Sequence, residues 1–232
     1  MGIKTFFQKI IYPHIYNSEA YIQYLKKLGV KIGNNSYIYA PQKTHIDTTR
    51  PFMIRIGNNV SITQGVIILG HDYSYSVLNE VYKVMPNPCK LTVIGDNCFI
   101  GMNSIILSGA HIGNNCIIGA GAVVSGIVPD NTVWASSLAR QVSTLEEYYK
   151  KKINQYEEAA KLFVKEFKNE YDRYPKLSEL GVYISLFLPR NMENKKYFDN
   201  IKSRMENVGD NLFNSEPLYN SYEDFISSLE YK

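Results

Sequence analysis

The sequence predicts an all-β core with helical flanks, in which the core is a parallel β-helix built from six-residue repeats. Large aliphatic residues recur every six positions without a slip: Ile94, Ile100, Ile106, Ile112, Ile118 and Val124. Four positions after each lies a small or medium-sized residue: Cys98, Ser104, Ala110, Cys116, Ala122 and Val128. An α-helix needs apolar spacings of three and four, and an ordinary strand needs alternation. A strict six is instead typical of a coil with three short sides per turn.

The same frame begins earlier and carries its own corner residues. The tetrapeptide Ile-Gly-Asn-Asn stands at 32–35, 56–59 and 112–115, and Ile-Gly-Asp-Asn stands at 94–97. Glycine and asparagine tolerate left-handed backbone conformations, so they suit repeated corners. Between Ile32 and Val133 the chain has room for roughly four to five coils of about 18 residues each.

The frame breaks in two places. A smaller irregularity spans Thr44 to Arg55, and 26 residues separate Ile68 from Ile94, so that residues 72–91 must leave the coil as a loop. Ordinary loops are much shorter, and a long loop on a repeat scaffold is often functional.

The flanks are predicted to be helical. Residues 1–30 form an N-terminal helical segment, 31–142 the hexapeptide domain with its loop, and 143–232 a C-terminal helical extension. Steps of three and four from Leu145 to Phe167 predict a long amphipathic helix, which Thr144 and Glu147 begin with a capping box. Shorter helices are expected over Tyr183–Leu188 and Glu223–Leu229.

Composition excludes several classes of protein. The chain of 232 residues is 45% apolar and 20% charged with a net charge of +3, which argues against disorder and a small disulfide scaffold. Asp96 and Asp130 are the only charged side chains between Leu91 and Ala139, so we expect no nucleic-acid surface. No segment approaches the roughly 20 apolar residues of a membrane span. Three cysteines without paired metal spacing indicate a cytoplasmic protein with reduced thiols and no metal; an N-terminal segment that touches a membrane surface is the alternative.

The repeat resembles a known family. The six-residue frame, the loop opening Gly70-His71-Asp72-Tyr73-Ser74 and the run Ile118-Gly-Ala-Gly-Ala-Val123 resemble the hexapeptide-repeat acetyltransferases. Nearest are the maltose/galactoside, xenobiotic, and capsular or exopolysaccharide enzymes, and Thr44–Asp47 with Phe99–Asn103 look most like the polysaccharide branch. The resemblance implies a left-handed coil, a homotrimer, and acetyl-CoA lying in a groove between two subunits.

Histidine is the side chain best tuned to act as a general base near neutral pH. His71 matches the histidine with which the family opens its long loop, so the resemblance implies that His71 takes the proton from the acceptor hydroxyl. His14 lies in the N-terminal helical region, and His111 closes a repeat and is expected to point outward. We expect neither of them to take part in the chemistry.

The acceptor and cofactor residues are inferred from the resemblance. On the acceptor side, His45 or Asp47 matches a polar residue about one coil before the base, and Tyr73 could stack on a sugar face. The positions that match the cofactor contacts are Gly101, Met102, Gly119, Ala120, Ser125 and Arg140. The chain departs from the family pattern at Phe99, at Gly126 and at 136–138, which weakens the assignment of the phosphate contacts.

We therefore expect an acetyl-CoA-dependent O-acetyltransferase that modifies a hydroxyl of a sugar or polysaccharide precursor. An N-acetyltransferase of an amino sugar, an antibiotic acetyltransferase and a non-catalytic β-helix scaffold are the alternatives. A metal hydratase on the same coil would need closely spaced histidines, and no second histidine follows His71 or His111 at close spacing. Cys98 and Cys116, one coil apart, are expected to be reduced core thiols rather than a disulfide.

Overall fold

A computed structural model describes residues 11–72, 74–86, 89–204 and 216–229. The chain divides into two compact units, residues 1–148 and 149–232. The expected helix upstream of residue 11 and the site residue Tyr73 lie outside the described residues.

The first unit is a parallel β-helix, as the six-residue period predicts. Its parallel strands are β1 Lys31–Ile32, β2 Tyr37–Ile38, β3 His45–Ile46, β4 Ile54–Ile56, β5 Ser61–Ile62, β6 Ile67–Ile68, β7 Thr92–Ile94, β8 Phe99–Ile100, β9 Ile105–Ile106, β10 His111–Ile112, β11 Ile117–Ile118, β12 Val123–Val124, β13 Ile127–Val128 and β14 Thr132–Ala135. Every third strand pairs in register, which gives sheet A (β1-β4-β7-β10-β13), sheet B (β2-β5-β8-β11-β14) and sheet C (β3-β6-β9-β12). The coil is of the left-handed class.

The repeating aliphatic residues fill the interior of the coil. Ile100, Ile106, Ile112 and Ile118 are fully buried, and Ile94 is 1% exposed. Cys98 and Cys116 are also buried, as free thiols that lie within hydrogen-bonding distance of backbone carbonyl oxygens. The hydrogen bond to Cys116 and burial raise the pKa of the Cys98 thiol, so this group stays protonated. Both cysteines therefore serve as small core residues, as the sequence indicates.

The Gly-Asn corners are stacked into ladders that run along the coil. The asparagines that end these corners have left-handed φ angles close to 55°: Asn35, Asn59, Asn97 and Asn115. The Asn97 amide donates to Asn115 at 3.0 Å and accepts from Asn59 at 3.0 Å. Each corner is thus fixed by its neighbours above and below, and a left-handed position that would strain most side chains is stabilised.

Glycine precedes these asparagines because the successive turns approach closely. A Cβ atom at Gly95 would lie 2.6 Å from the carbonyl oxygen of Gly113. The same column of close approaches passes through Gly33 and Gly57. The glycine of the repeat is therefore required by the spacing of adjacent coils.

Helix α1 (Ser18–Leu28) packs against the first coil through Tyr21, Ile22 and Leu25. Asn17 caps its start, and Gly29, at φ 114°, ends it. The loop over 72–91 contains a helix that the sequence analysis did not foresee, α2 (Tyr75–Tyr82). No proline or glycine interrupts residues 74–85, so this segment is free to form a helix.

At the end of the coil, strand β15 (Arg140–Thr144) pairs antiparallel with β14. Helix α3 (Leu145–Tyr171) follows directly. Its capping box is confirmed, because Thr144 N–H donates to Glu147 at 2.8 Å and Glu147 N–H donates to Thr144 Oγ1 at 3.2 Å.

The second unit is helical. Beyond most of α3 it contains 3₁₀ turns at Leu177–Glu179 and Gly181–Leu186, α4 (Lys195–Arg204) and α5 (Tyr222–Ser227). Ala160 and Val164 of α3 pack with Ile184, Phe187 and Phe225 in a core separate from that of the coil. The sequence analysis expected a helix near 183–188, which is a 3₁₀ turn, and did not anticipate α4.

Candidate active site

A buried histidine and a buried carboxylate meet where the coil opens into the long loop. Strands β3 and β6 are neighbours in sheet C, with His45 opposite Ile67 and Ile46 opposite Ile68. Asp47 directly follows β3, and His71 lies three residues after β6. This register brings Nδ1 of His71 onto Oδ2 of Asp47. His71 is 4% exposed and Asp47 is 3% exposed.

The carboxylate of Asp47 is fixed by two backbone groups besides the histidine. The N–H of Thr49 donates to Oδ1 at 2.8 Å, and the N–H of Gly70 donates to Oδ2 at 3.0 Å. Burial pushes the pKa of Asp47 upward, but the hydrogen bonds from Thr49, Gly70 and His71 outweigh burial and hold that pKa below its usual value. Asp47 is therefore ionised at neutral pH.

An ionised acceptor at Nδ1 decides which nitrogen of His71 is basic. Nδ1 carries the proton that it donates to Asp47, so Nε2 holds the lone pair. The negative charge of Asp47 also stabilises the imidazolium that forms when Nε2 takes a proton. The pair thus holds the imidazole in one tautomer, with Nε2 as the nitrogen able to accept a proton.

The loop that begins at His71 is held by a second carboxylate. Asp72 is exposed, and its oxygens accept from the N–H of Ser74 at 2.8 Å and from its hydroxyl at 2.9 Å. These hydrogen bonds to Ser74 lower the pKa of Asp72. Asp72 shapes the start of the loop, whereas Asp47 contacts the histidine.

His45 and His111 are placed differently from His71. His45 is exposed on the outer face of sheet C, and His111 is exposed on sheet A. The prediction that His111 points outward is confirmed. His14 is exposed and stacks on Tyr24 at 4.7 Å, which accounts for it as a packing residue near α1.

The residues proposed for the cofactor fall at two corners of the coil. Gly101, Met102, Gly119 and Ala120 lie at the corner that leads from sheet B into sheet C. A Cβ atom at Gly101 would lie 2.5 Å from the nitrogen of Ala120, so this corner is narrow and formed by backbone. Met102 is 46% exposed beside it.

Ser125 lies apart from those glycines, whereas Arg140 pairs with Ala135, whose side chain packs against Gly119. Ser125 follows β12 at the corner where the chain leaves sheet C, in the same column as Asp47. The N–H of Ala139 donates to Val123 at 3.1 Å, which brings the chain before Arg140 beside the same strand. Arg140 is exposed at the start of β15. Ser125 and the glycine corner therefore lie at opposite edges of sheet C in one chain, with Arg140 on the side of the glycines.

The groups that orient His71 were not predicted from the sequence. Asp47 was predicted as a contact of the acceptor, and in the structure it contacts the imidazole of His71. The run Asp47-Thr48-Thr49 is a sequence signal for the turn in which Thr49 N–H caps the aspartate. The count of residues across the two breaks in the frame could not show that Asp47 and His71 are neighbours.

Comparison with known proteins decides the family. A sequence model described as "Bacterial transferase hexapeptide (six repeats)" matches residues 91–126. Protein CapG of Staphylococcus aureus is 36% identical over 157 residues, which cover 64% of this chain and 90% of that protein. The chain belongs to the bacterial hexapeptide transferases. The resemblance drawn from the repeats is confirmed, and the protein is an enzyme of the acyltransferase class.

Solved structures of other hexapeptide enzymes are similar over parts of the chain. A hexapeptide-repeat acetyltransferase from Vibrio cholerae, complexed with acetyl-CoA, is 25% identical over 55% of this chain and 76% of its own, with a TM-score of 0.41. Soybean serine acetyltransferase complexed with serine is 28% identical over 49% of this chain, with a TM-score of 0.38. The chain spans only 40% of the length of that soybean enzyme.

The described residues also lack the features of two other classes of site. Within residues 11–72, 74–86, 89–204 and 216–229, no helix is both long and apolar enough to cross a membrane. The same residues of this hexapeptide transferase contain no group of three or more His, Cys, Asp or Glu side chains arranged to hold a metal ion.

Proposed function

We propose that this protein is an acetyl-CoA-dependent O-acetyltransferase that acetylates a hydroxyl of a sugar or polysaccharide precursor. The observation that carries the proposal is the buried His71–Asp47 pair at the root of the long loop. Burial of a polar pair at that depth costs folding free energy unless the hydrogen bonds of both groups are satisfied. Here Asp47 is fully engaged and directs the basic nitrogen of His71.

The reaction follows from the arrangement of that pair. Nε2 of His71 accepts the proton of the acceptor hydroxyl as its oxygen attacks the thioester carbonyl of acetyl-CoA. The tetrahedral intermediate collapses, the carbon–sulfur bond breaks, and His71 returns the proton to the leaving sulfur. Asp47 stays ionised throughout and offsets the positive charge on the imidazole.

The cofactor is assigned to the narrow corner at Gly101 and Gly119. Met102 and Ala120, the residues that follow these glycines, are exposed, so a thin ligand such as the pantetheine arm of acetyl-CoA can lie against the chain there. Met102 and Ala120 border this corner, and Arg140 offers a cation for a phosphate of the coenzyme. Ser125 offers a hydroxyl at the other edge of sheet C.

We further propose that the enzyme is a homotrimer. The base and the glycine corner lie at opposite edges of sheet C in one chain. A second copy that brings its glycine corner to the His71 edge would complete the site, and three copies close such a head-to-tail contact. The acceptor then lies between copies, with His45 and Tyr73 as candidate contacts.

The acceptor is proposed to be a precursor of a capsular or extracellular polysaccharide, since Thr44–Asp47 and Phe99–Asn103 resemble that branch of the family. We place the reaction in the cytoplasm. The free thiols Cys89, Cys98 and Cys116 support a reducing compartment.

The test is a screen of acceptors with acetyl-CoA, read by release of free thiol. Nucleotide sugars, oligosaccharides and simple glycosides are compared with amino sugars and with an aminoglycoside. Acetylation of a neutral sugar by the wild type, with loss of roughly 10²–10⁴ in kcat in His71→Ala, is the expected result. Transfer only to amines would overturn the O-acetyl assignment, and a fully active His71→Ala protein would overturn the mechanism.

A further inference from the structure

The second unit contains a cavity that the proposed acetyl transfer does not use. Its volume is about 510 Å³, a size that suits a ligand of one or two sugar rings. It lies along α3 and is closed by residues near Tyr174 and after α5. The lining residues are Glu158, Lys161, Leu162, Lys165, Lys168, Asn169, Tyr174, Ser228 and Leu229.

The wall of the cavity is predominantly cationic. Lys161, Lys165 and Lys168 are spaced by four and three residues, so they share one face of α3. Against these three lysines the lining contains one carboxylate, Glu158. Because Lys161 is paired with Glu157 at 2.6 Å, an anionic ligand would meet net attraction chiefly at Lys165 and Lys168.

The outer two lysines are held in place by neighbouring groups. Lys161 Nζ lies 2.6 Å from the carboxylate of Glu157, which also accepts from the Tyr219 hydroxyl at 2.6 Å. Lys168 Nζ donates to the Tyr174 hydroxyl at 3.0 Å and lies 4.3 Å from the centre of that ring. Ordering these side chains before binding reduces the entropy lost when a ligand arrives.

The remaining lining suits a sugar more than a bare ion. Leu162 and Leu229 offer apolar surface for the C–H faces of a pyranose ring, and Tyr174 offers an aromatic edge. Asn169 brings an amide that can pair with sugar hydroxyls, and the hydroxyl oxygen of Ser228, which donates its proton to the Phe225 carbonyl at 2.6 Å, can still accept from one. Cationic, aromatic and neutral polar groups thus converge on one volume.

We propose that this cavity binds an anionic saccharide, with the carboxylate or phosphate of the sugar facing Lys165 between the two ordered lysines. The site is distinct from the His71 centre, and all its lining residues belong to the second unit. It would give the enzyme a second binding site for an acidic glycan or for a phosphorylated sugar.

Titration calorimetry on the full chain tests the proposal with three probes: an oligosaccharide of glucuronic acid, glucose 1-phosphate and a neutral glucose oligosaccharide. Saturable binding of either anionic probe and none of the neutral one is expected. The uronate and phosphate arms tell which anionic group the site accepts. Failure of both anionic probes, or equal binding of the neutral one, overturns the proposal.

Variants of one helix provide the matched control. Lys165→Gln should weaken binding of the anionic probe roughly tenfold, because a charge-assisted hydrogen bond is lost, and Lys165→Arg should retain it. Lys151→Gln removes a charge from the same helix outside the cavity and should have little effect. Equal losses in Lys165→Gln and Lys151→Gln would show only a general charge effect and refute the site. His71→Ala should bind the probe normally, which separates this proposal from the acetyl-transfer mechanism.

Discussion

Replacement of Asp47 by asparagine tests whether the carboxylate orients and supports His71. Oδ1 accepts from Thr49, and Oδ2 accepts from both Gly70 and His71. An asparagine has only one such oxygen. If its oxygen faces His71, the Thr49 N–H loses its acceptor. If its NH₂ group faces His71, that group lies against the Gly70 N–H and the Nδ1–H of His71. The imidazole must then carry its proton on Nε2 instead of Nδ1.

The size of the effect follows from these two orientations. With the oxygen toward His71, the imidazole keeps its acceptor and loses only the negative charge of that acceptor. A charged hydrogen bond exceeds a neutral one by about 1–2 kcal/mol, or roughly 5- to 30-fold in rate. With the amide toward His71, Nε2 carries the proton and the base is lost, which costs roughly 10²–10⁴. We therefore expect kcat of Asp47→Asn to fall by about 10- to 10³-fold, with the KM for acetyl-CoA nearly unchanged.

The assay is steady-state release of free CoA thiol over a range of pH. The matched control is Asp72→Asn, which removes a carboxylate from the neighbouring residue of His71 but one that is exposed and bonded to Ser74. It should retain nearly full kcat. An Asp47→Asn enzyme within twofold of wild type and with the same pH profile would refute the positioning role, since a merely structural carboxylate moves stability and leaves the profile alone.

Three further predictions concern the pair and the coil. Because the pKa of Asp47 is lowered in the folded protein, the stability that the carboxylate contributes is complete above the usual aspartate pKa and is lost as the pH falls through the folded-state pKa. The difference in Tm between wild type and Asp47→Asn should therefore narrow from about pH 5 downward. A difference in Tm that widens in acid would contradict this prediction. His111→Ala and His14→Ala should change kcat far less than His71→Ala in the thiol assay, since both side chains are exposed away from the pair; a comparable loss would point to a different base. Asn97→Ala should lower the free energy of unfolding by about 2–3 kcal/mol, because alanine is strained at this left-handed φ and the two amide hydrogen bonds are lost. Asn97→Gly, which relieves the φ strain, should lose about 1 kcal/mol less in chemical denaturation. Equal losses in the two variants would show that tolerance of the left-handed φ is not the reason for asparagine at this position.

The repeat made the coil predictable, because the sequence of each six-residue unit indicates which residue lies inside the coil and which residues form the corner. Ile94 to Ile118 are buried as expected, and the Gly-Asn corners take the left-handed φ that they indicate. The capping box at Thr144 and Glu147 was equally readable, since it depends only on contacts three residues apart. Local and periodic signals therefore determined the scaffold.

The site was less predictable, because its decisive contact crosses two breaks in that period. His71 could be singled out as a candidate base, but its partner could not, since 3₁₀ turns at Pro41–Lys43 and Pro51–Met53 interrupt the six-residue count on both sides of Asp47. Helix α2 within the long loop carries no buried residue, so no apolar periodicity marked it. The 3₁₀ turn at Gly181–Leu186 is held by the core of the second unit, which is tertiary information.

The His71–Asp47 pair lies where the six-residue repeat is interrupted, because a regular turn of the coil has no space for two large polar side chains. A regular corner of the coil accepts a small residue such as Ala110 or Ala122, both fully buried, and leaves no room for an imidazole and a carboxylate. Asp47 stands just inside the first break in the frame, and His71 stands just before the second. Because β3 and β6 are adjacent in sheet C, both breaks open at the same corner on neighbouring turns. The turn at Thr48-Thr49 supplies the N–H that fixes Oδ1 of Asp47. The two departures from the repeat therefore place a buried, oriented imidazole and a carboxylate on a scaffold whose regular turns bury aliphatic side chains and small residues such as Ala110 and Ser104.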